Sequence, residues 1–242
     1  MCGRFTSTTS AADLARYFDA DDEVVAELEP DHNVTPTRDV YIVREVDDRR
    51  ILDVAHWGLV PRWAESPAIG SRLINARSET ASSKPSFRSA FRRRRCIVPV
   101  DGFYEWIAVP ERRRKQPFHL RAVDGRPLAF AGLWETWRPK DRPDDPALRS
   151  CTILTGPPNA TVAPLHDRMP IILGADEWST WLDPTIDDVA LLESLLDPAP
   201  DDLLEAWPVS LAVNDVRRHD ATLVDPVEIV PDGEVEGQGR LL

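Results

Sequence analysis

Between residues 96 and 155 one apolar, β-branched run follows another: CIVPV, GFYEWI, PFHLRAV, PLAFAGLW and SCTILT. Glycine, proline and aspartate punctuate these runs, and no regular helical periodicity separates them. A parallel pair of strands needs a crossover of a dozen or more residues, usually a helix. Lacking such crossovers, the chain is expected to form an α+β fold. Its sheet should be largely antiparallel, curled into a barrel-like shape and flanked by helices, rather than doubly wound.

The remaining segments extend that expectation. STTSAADLARYF predicts a helix with Ser10 as N-cap, Asp13 at the capping-box position, and Leu14, Tyr17 and Phe18 on one stripe. VYIVREV and ILDVAHWG, separated by DDRR, predict a hairpin. PSFRSAFRRRR puts Phe87, Ala90 and Phe91 at helical spacing, with an arginine-rich end. ADEWSTWL and DDVALLESLL predict two further helices, and VSLAV and VEIV read as strands. RPKDRPDDPALRS reads as a surface loop. With no linker in view, residues 1–231 are expected to form one domain and residues 232–242 a loose tail.

Several function classes drop out. No run of about 18 apolar residues exists to span a membrane. No basic segment followed by an apolar stretch opens the chain, so a cytoplasmic protein is expected. The absence of GxGxxG, GxxxxGK[ST], CxxC and HExxH leaves no cofactor or metal to expect. Three scattered cysteines, Cys2, Cys96 and Cys151, do not form a disulfide framework. Nothing demands more than a monomer. The net charge of −12 argues at first against nucleic acid, but the charge is segregated. Acids gather in DADDEVVAELEPD and DRPDDP, bases in FRRRRC and ERRRK. Lysine occurs only at 84, 115 and 140, and such an acidic, lysine-poor surface suits a high-salt cytoplasm.

MCGRF places a cysteine directly behind the initiator methionine. Removal of Met1 leaves an α-amine and a thiol on adjacent carbons, with reference pKa values of about 7.7–8.0 and about 8.5. No internal cysteine has this pair, because its nitrogen is locked in an amide. An aldehyde condenses with the amine to an imine, and the tethered thiol then closes a thiazolidine at high effective molarity. On position alone, an incidental Cys2 is the plainer reading.

Other segments carry groups that fit such chemistry. In NARSET, Asn75 and Arg77 share one face if the segment is extended. In DGFYEW, Glu105 stands among Phe103, Tyr104 and Trp106, a setting that raises a carboxyl pKa and suits a general acid/base. A half-exposed strand glutamate is the alternative. HDRMP offers His166 for proton transfer and Arg168 for phosphate, against a simple hydrogen-bonded loop histidine. NVTPT and WGLVPRW read as loops lining a groove, with Trp57 and Trp63 either core or base-stacking residues.

In order along the chain, MCGRF, NVTPT, WGLVPRW, INARSET, CIVPVDGFYEW, KQPF, FAGLWE, TILTGPPNA and HDRMPIIL resemble the SRAP family, the SOS-response-associated peptidase-like or abasic-site processing proteins. Each motif is weak alone; the ordered set is specific and spans nearly the whole chain. The resemblance implies a single α+β domain with a positively charged groove, and single-stranded DNA carrying an abasic site as partner, including at junctions with duplex. It implies a thiazolidine between Cys2 and the ring-opened sugar, a DNA–protein crosslink that shields the lesion from strand cleavage. Asn75 would orient the Cys2 end, Glu105 would shuttle protons, and His166 would assist protonation. Arg4, Arg77 and Arg168 would meet phosphates, Trp63 and Trp106 would stack on bases, and the arginine-rich helix end would add a looser contact. Many relatives carry a second aromatic where this chain has Ala64, which weakens or shifts stacking. Two other readings stand beside this one. One is a thiol peptidase using Cys2 and His166, including self-directed removal of Met1. The other is a nucleic-acid-binding module without chemistry.

Overall fold

The computed structural model describes residues 2–22, 27–110, 113–142 and 144–229. The first half holds β1 (Phe5–Ser7), α1 (Ala11–Tyr17), β2 (Asp21–Asp22), β3 (Asp31–Val34), β4 (Asp39–Val46), β5 (Arg49–Trp57), β6 (Asn75–Arg77), α2 (Ser78–Ala81) and α3 (Arg88–Arg93). Then follow β7 (Arg95–Val100), β8 (Gly102–Ile107), β9 (Gln116–Ala122), β10 (Leu128–Trp137), β11 (Leu148–Gly156), β12 (Met169–Pro170), α4 (Trp178–Leu182), α5 (Val189–Ser194) and β13 (Leu204–Pro208).

Five strands close a ring. β11, β10, β7, β4 and β5 pair in that order, all antiparallel. β5 returns to β11 in parallel, with Ser150 beside His56 and Cys151 beside Trp57. A second antiparallel sheet runs β13-β9-β8-β1-β3. The expected α+β architecture with a largely antiparallel, barrel-like sheet is the one observed.

The ring strands bury both faces, so they read as continuous apolar runs rather than alternating ones. Tyr41, Val43, Ile97, Ala129, Ala131 and Leu133 pack against the helices with Leu14, Phe91 and Trp181. Their neighbours Val40, Ile42, Cys96, Val98, Leu128 and Phe130 point the other way and meet Cys2, Phe5 and Phe103. Each such large apolar side chain contributes about 1.5–3 kcal/mol by burial. Cys2 is therefore seated in packed core.

Local signals explain the connections. Ser10 Oγ accepts from the Asp13 N–H at 3.2 Å, capping α1 as its sequence predicts. The β4–β5 hairpin turns on Asp47 and Asp48, both left-handed at φ 51° and 60°, a conformation that matches the twist of the paired strands. Gly58 has φ +141°, and a Cβ there would meet the Gly70 carbonyl oxygen at 2.7 Å, so this place in WGLVPRW admits only glycine.

Two expectations are corrected. VSLAV is not a strand. Val209 makes an isolated bridge with Pro226, and Leu211–Asn214 form a turn of 3-10 helix started by Ser210 Oγ on the Ala212 N–H. The carbonyls of Val213, Asp215 and Arg218 are taken by the Asn33 side chain instead of a neighbouring strand. VEIV forms no strand over residues 227–229, and the expected tail at 232–242 lies outside the described residues.

The arginine-rich end of α3 also divides. Arg95 is buried and donates to the carbonyls of Trp181, Phe91, Arg92 and Asp183. Arg94 pairs with Glu135 at 2.8 Å. Of the run, Arg92 and Arg93 face solvent, Arg93 lying 3.4 Å from the Asp187 carboxylate.

Candidate active site

β1 is central in its sheet, paired with β8 on one side and β3 on the other, and it carries Cys2 and Arg4 into the structure just before its first residue. Cys2 is fully buried. Asn75 Nδ2 donates to the Cys2 carbonyl at 2.7 Å. Pairing of β6 with β11, Asn75 opposite Ile153, holds that amide in place. A carbonyl only accepts, so the contact fixes which end of the amide faces it. Asn75 Oδ1, on the other end, is buried and has no hydrogen-bond partner among the described residues.

Glu105 shares a strand face with Phe103, whereas Tyr104 points away and donates to the His32 carbonyl at 2.7 Å. Glu105 is buried, and burial pushes its carboxyl up to about 7 despite the opposing pull of nearby positive charge, Lys115 included. Burial, followed by the negative charge of Glu105, drives the Cys2 thiol far above its ordinary value. The two groups are thus electrostatic neighbours.

His166 is half-buried, and burial and surrounding positive charge lower its pKa. Its Nδ1 accepts from the Arg168 backbone N–H at 2.9 Å. Lys115, from KQPF, projects its charge onto both Glu105 and His166. Asn75 thus meets Cys2 by a hydrogen bond, Glu105 acts on the Cys2 thiol through its charge, and His166 is linked to Glu105 through the charge of Lys115.

The expected DNA-contacting residues have mixed surroundings. Arg77 is exposed. Trp63 is 52% exposed and lines a cleft with Ile69 and Arg72, whereas Trp57 is core. Ala64 is buried and its carbonyl accepts from Trp137 Nε1 at 2.8 Å, so a larger side chain there would need the Val60–Trp137 packing to open. Arg4 donates to Asn33 Oδ1 at 2.6 Å and to the Val213 carbonyl at 2.8 Å, and lies 5.7 Å from the Trp106 ring. Trp106 Nε1 donates to Asn214 Oδ1 at 2.9 Å. Arg168 is paired with Glu79. A cleft of about 740 Å³ lies elsewhere, along Glu29, Asp31, Arg38 and His219, and its acidic lining does not suit a phosphate backbone.

A model of the family described as SOS response associated peptidase (SRAP) matches residues 1–216. The chain belongs to the SRAP family. Among SRAP relatives, the abasic site processing protein YoqW of Bacillus subtilis is 38% identical over 226 residues, covering 93% of this chain and 99% of its own. The abasic site processing protein YedK of Escherichia coli is 31% identical, covering 94% of this chain and 100% of its own. A crystal structure of a protein from Bacteroides thetaiotaomicron superposes with a TM-score of 0.83 at 25% identity, covering 94% of this chain and all of that one.

Sequence reasoning missed two residues of this candidate site. Asn33, inside NVTPT, is fully buried and binds both Arg4 and the segment after β13. Lys115 supplies charge. A buried asparagine in a motif otherwise read as a loop was the available signal for the first; nothing local marks the second.

Proposed function

We propose that this protein processes abasic sites in single-stranded DNA by covalent capture through Cys2. Once Met1 is gone, the Cys2 amine attacks the C1′ aldehyde of the ring-opened sugar. Loss of water gives an imine. The thiol then adds its sulfur to that carbon while its proton passes to the nitrogen, closing a thiazolidine. The observation that carries this reading is the Asn75 amide. Its Nδ2 holds the Cys2 carbonyl, and its Oδ1, buried and without a partner among the described residues, is an acceptor suited to a freed α-amine.

Glu105, with its carboxyl near 7, can take the thiol proton and pass it to the imine nitrogen at neutral pH. His166 assists protonation at the imine step. Arg77 and Arg4 offer charge to phosphates, and exposed Trp63 offers a stacking face for a base at a strand end or duplex junction.

The test incubates Met1-free protein with a single-stranded oligonucleotide holding one abasic site, followed by a denaturing gel. A slow covalent band is expected from the wild type and none from Cys2→Ala. No band from the wild type sinks the reading.

A further inference from the structure

Glu79 lies on α2, two residues after Arg77. Its carboxylate takes both prongs of the Arg168 guanidinium, at 2.5 and 2.9 Å. Arg168 also donates to the Thr155 carbonyl on β11. The arginine side chain is 15% exposed, the glutamate 47%. A bidentate fork fixes the guanidinium plane, and the bond to a strand carbonyl removes the remaining freedom. Residues 166–168 are thereby tied to α2 and β11.

That tie reaches the imidazole. The Arg168 N–H donates to His166 Nδ1, and a ring nitrogen that accepts carries no proton, so the neutral ring keeps its proton on Nε2. A rival stands beside it. Asp167 Oδ1 lies 2.8 Å from the same nitrogen, and a carboxylate there favours a proton on Nδ1. Which partner wins depends on where the Arg168 backbone is held. We propose that Glu79 is a positioning residue that clamps Arg168, keeps its N–H on His166 Nδ1, and so keeps the His166 proton on Nε2. Its effect on reaction rate rests on the proposed role of His166 in the capture step. Among the described residues, the charges acting on the ring include Asp167 of its own loop and Lys115 ahead of β9. Glu79 reaches the ring through Arg168.

The test uses the full chain without Met1 and the variants Glu79→Ala and Glu79→Gln, with folding checked by thermal melting. Three quantities are read: imidazole ¹⁵N shifts of His166, crosslinking rate at saturating abasic oligonucleotide across pH, and affinity for intact single-stranded DNA. Glu79→Ala should move the ring toward the Nδ1–H or protonated form, shift the acid limb of the rate profile upward, and slow capture about tenfold. Affinity for intact DNA should stay within about twofold. Glu79→Gln, which keeps one acceptor for Arg168, should fall between. An unchanged ¹⁵N pattern in Glu79→Ala overturns the proposal. So does tighter binding of intact DNA with the tautomer unmoved, because Glu79 would then only compete with phosphate for Arg168. If wild type makes no crosslink, the capture reading fails while the ¹⁵N pattern still reports on the clamp.

Discussion

Across 73 residues of sequence, the Asn75 side chain donates to the Cys2 carbonyl at 2.7 Å. Asn75→Asp keeps the shape but sets a carboxylate against that carbonyl. An unmade buried hydrogen bond costs about 1–3 kcal/mol, so crosslinking should slow roughly 10- to 100-fold in single-turnover gels. Wild-type rate in this variant would remove Asn75 from the site.

Glu105 links stability to pH. Its folded carboxyl holds a proton to about 7, against 4.5 ordinarily. Between those values the native state binds the extra proton, so stability falls as pH rises through the window, and the full cost stands above it. Glu105→Gln should therefore melt above wild type at pH 8, by on the order of 2–4 kcal/mol, and match it near pH 4. It should also flatten the rate profile around pH 7. A variant that melts lower than wild type at pH 8 contradicts the assignment.

The reactive unit in the proposed chemistry is the amine together with the thiol. One residue inserted ahead of Cys2, and retained in the purified protein as mass spectrometry verifies, keeps the thiol but makes its nitrogen an amide. Crosslinking should vanish while intact-DNA binding changes little. Persistence of the band would point to a thiol acting alone.

Arg95 donates to four carbonyls from the core, so it serves structure rather than DNA. Arg95→Met should destabilise the fold by about 3 kcal/mol or more in urea titration, since those carbonyls lose their donors. Below its melting range, the variant should keep the salt dependence of DNA binding. Loss of one unit of that slope would instead mark Arg95 as a phosphate contact.

Trp63 is half-exposed and buries little. Trp63→Ala should weaken DNA binding by about 1–3 kcal/mol if a base stacks there, with the melting temperature unchanged. Equal affinity in a fluorescence titration would exclude it from the interface.

Some features were legible because they are local. The Ser10 cap depends on a donor three residues away, and the β4–β5 turn on two aspartates that tolerate positive φ. VSLAV misled because its β-branched pattern says nothing of Asn33, whose side chain arrives from a distant strand to take the carbonyls. FRRRRC misled in part for the same reason. Four identical side chains have four different surroundings, and only packing turns Arg94 and Arg95 inward.

The sequence by itself determined that the sheet would be largely antiparallel, that Cys2 follows Met1, and that the ordered motifs belong to one family. Those are matters of covalent order and of short-range pattern. Tertiary structure decided which groups meet: that Asn75 grips Cys2, that Glu105 is buried enough to titrate near 7, and that Arg168 turns to Glu79. Desolvation and hydrogen-bond partnership depend on every atom within a few ångströms, and folding brings most of those atoms from remote parts of the chain.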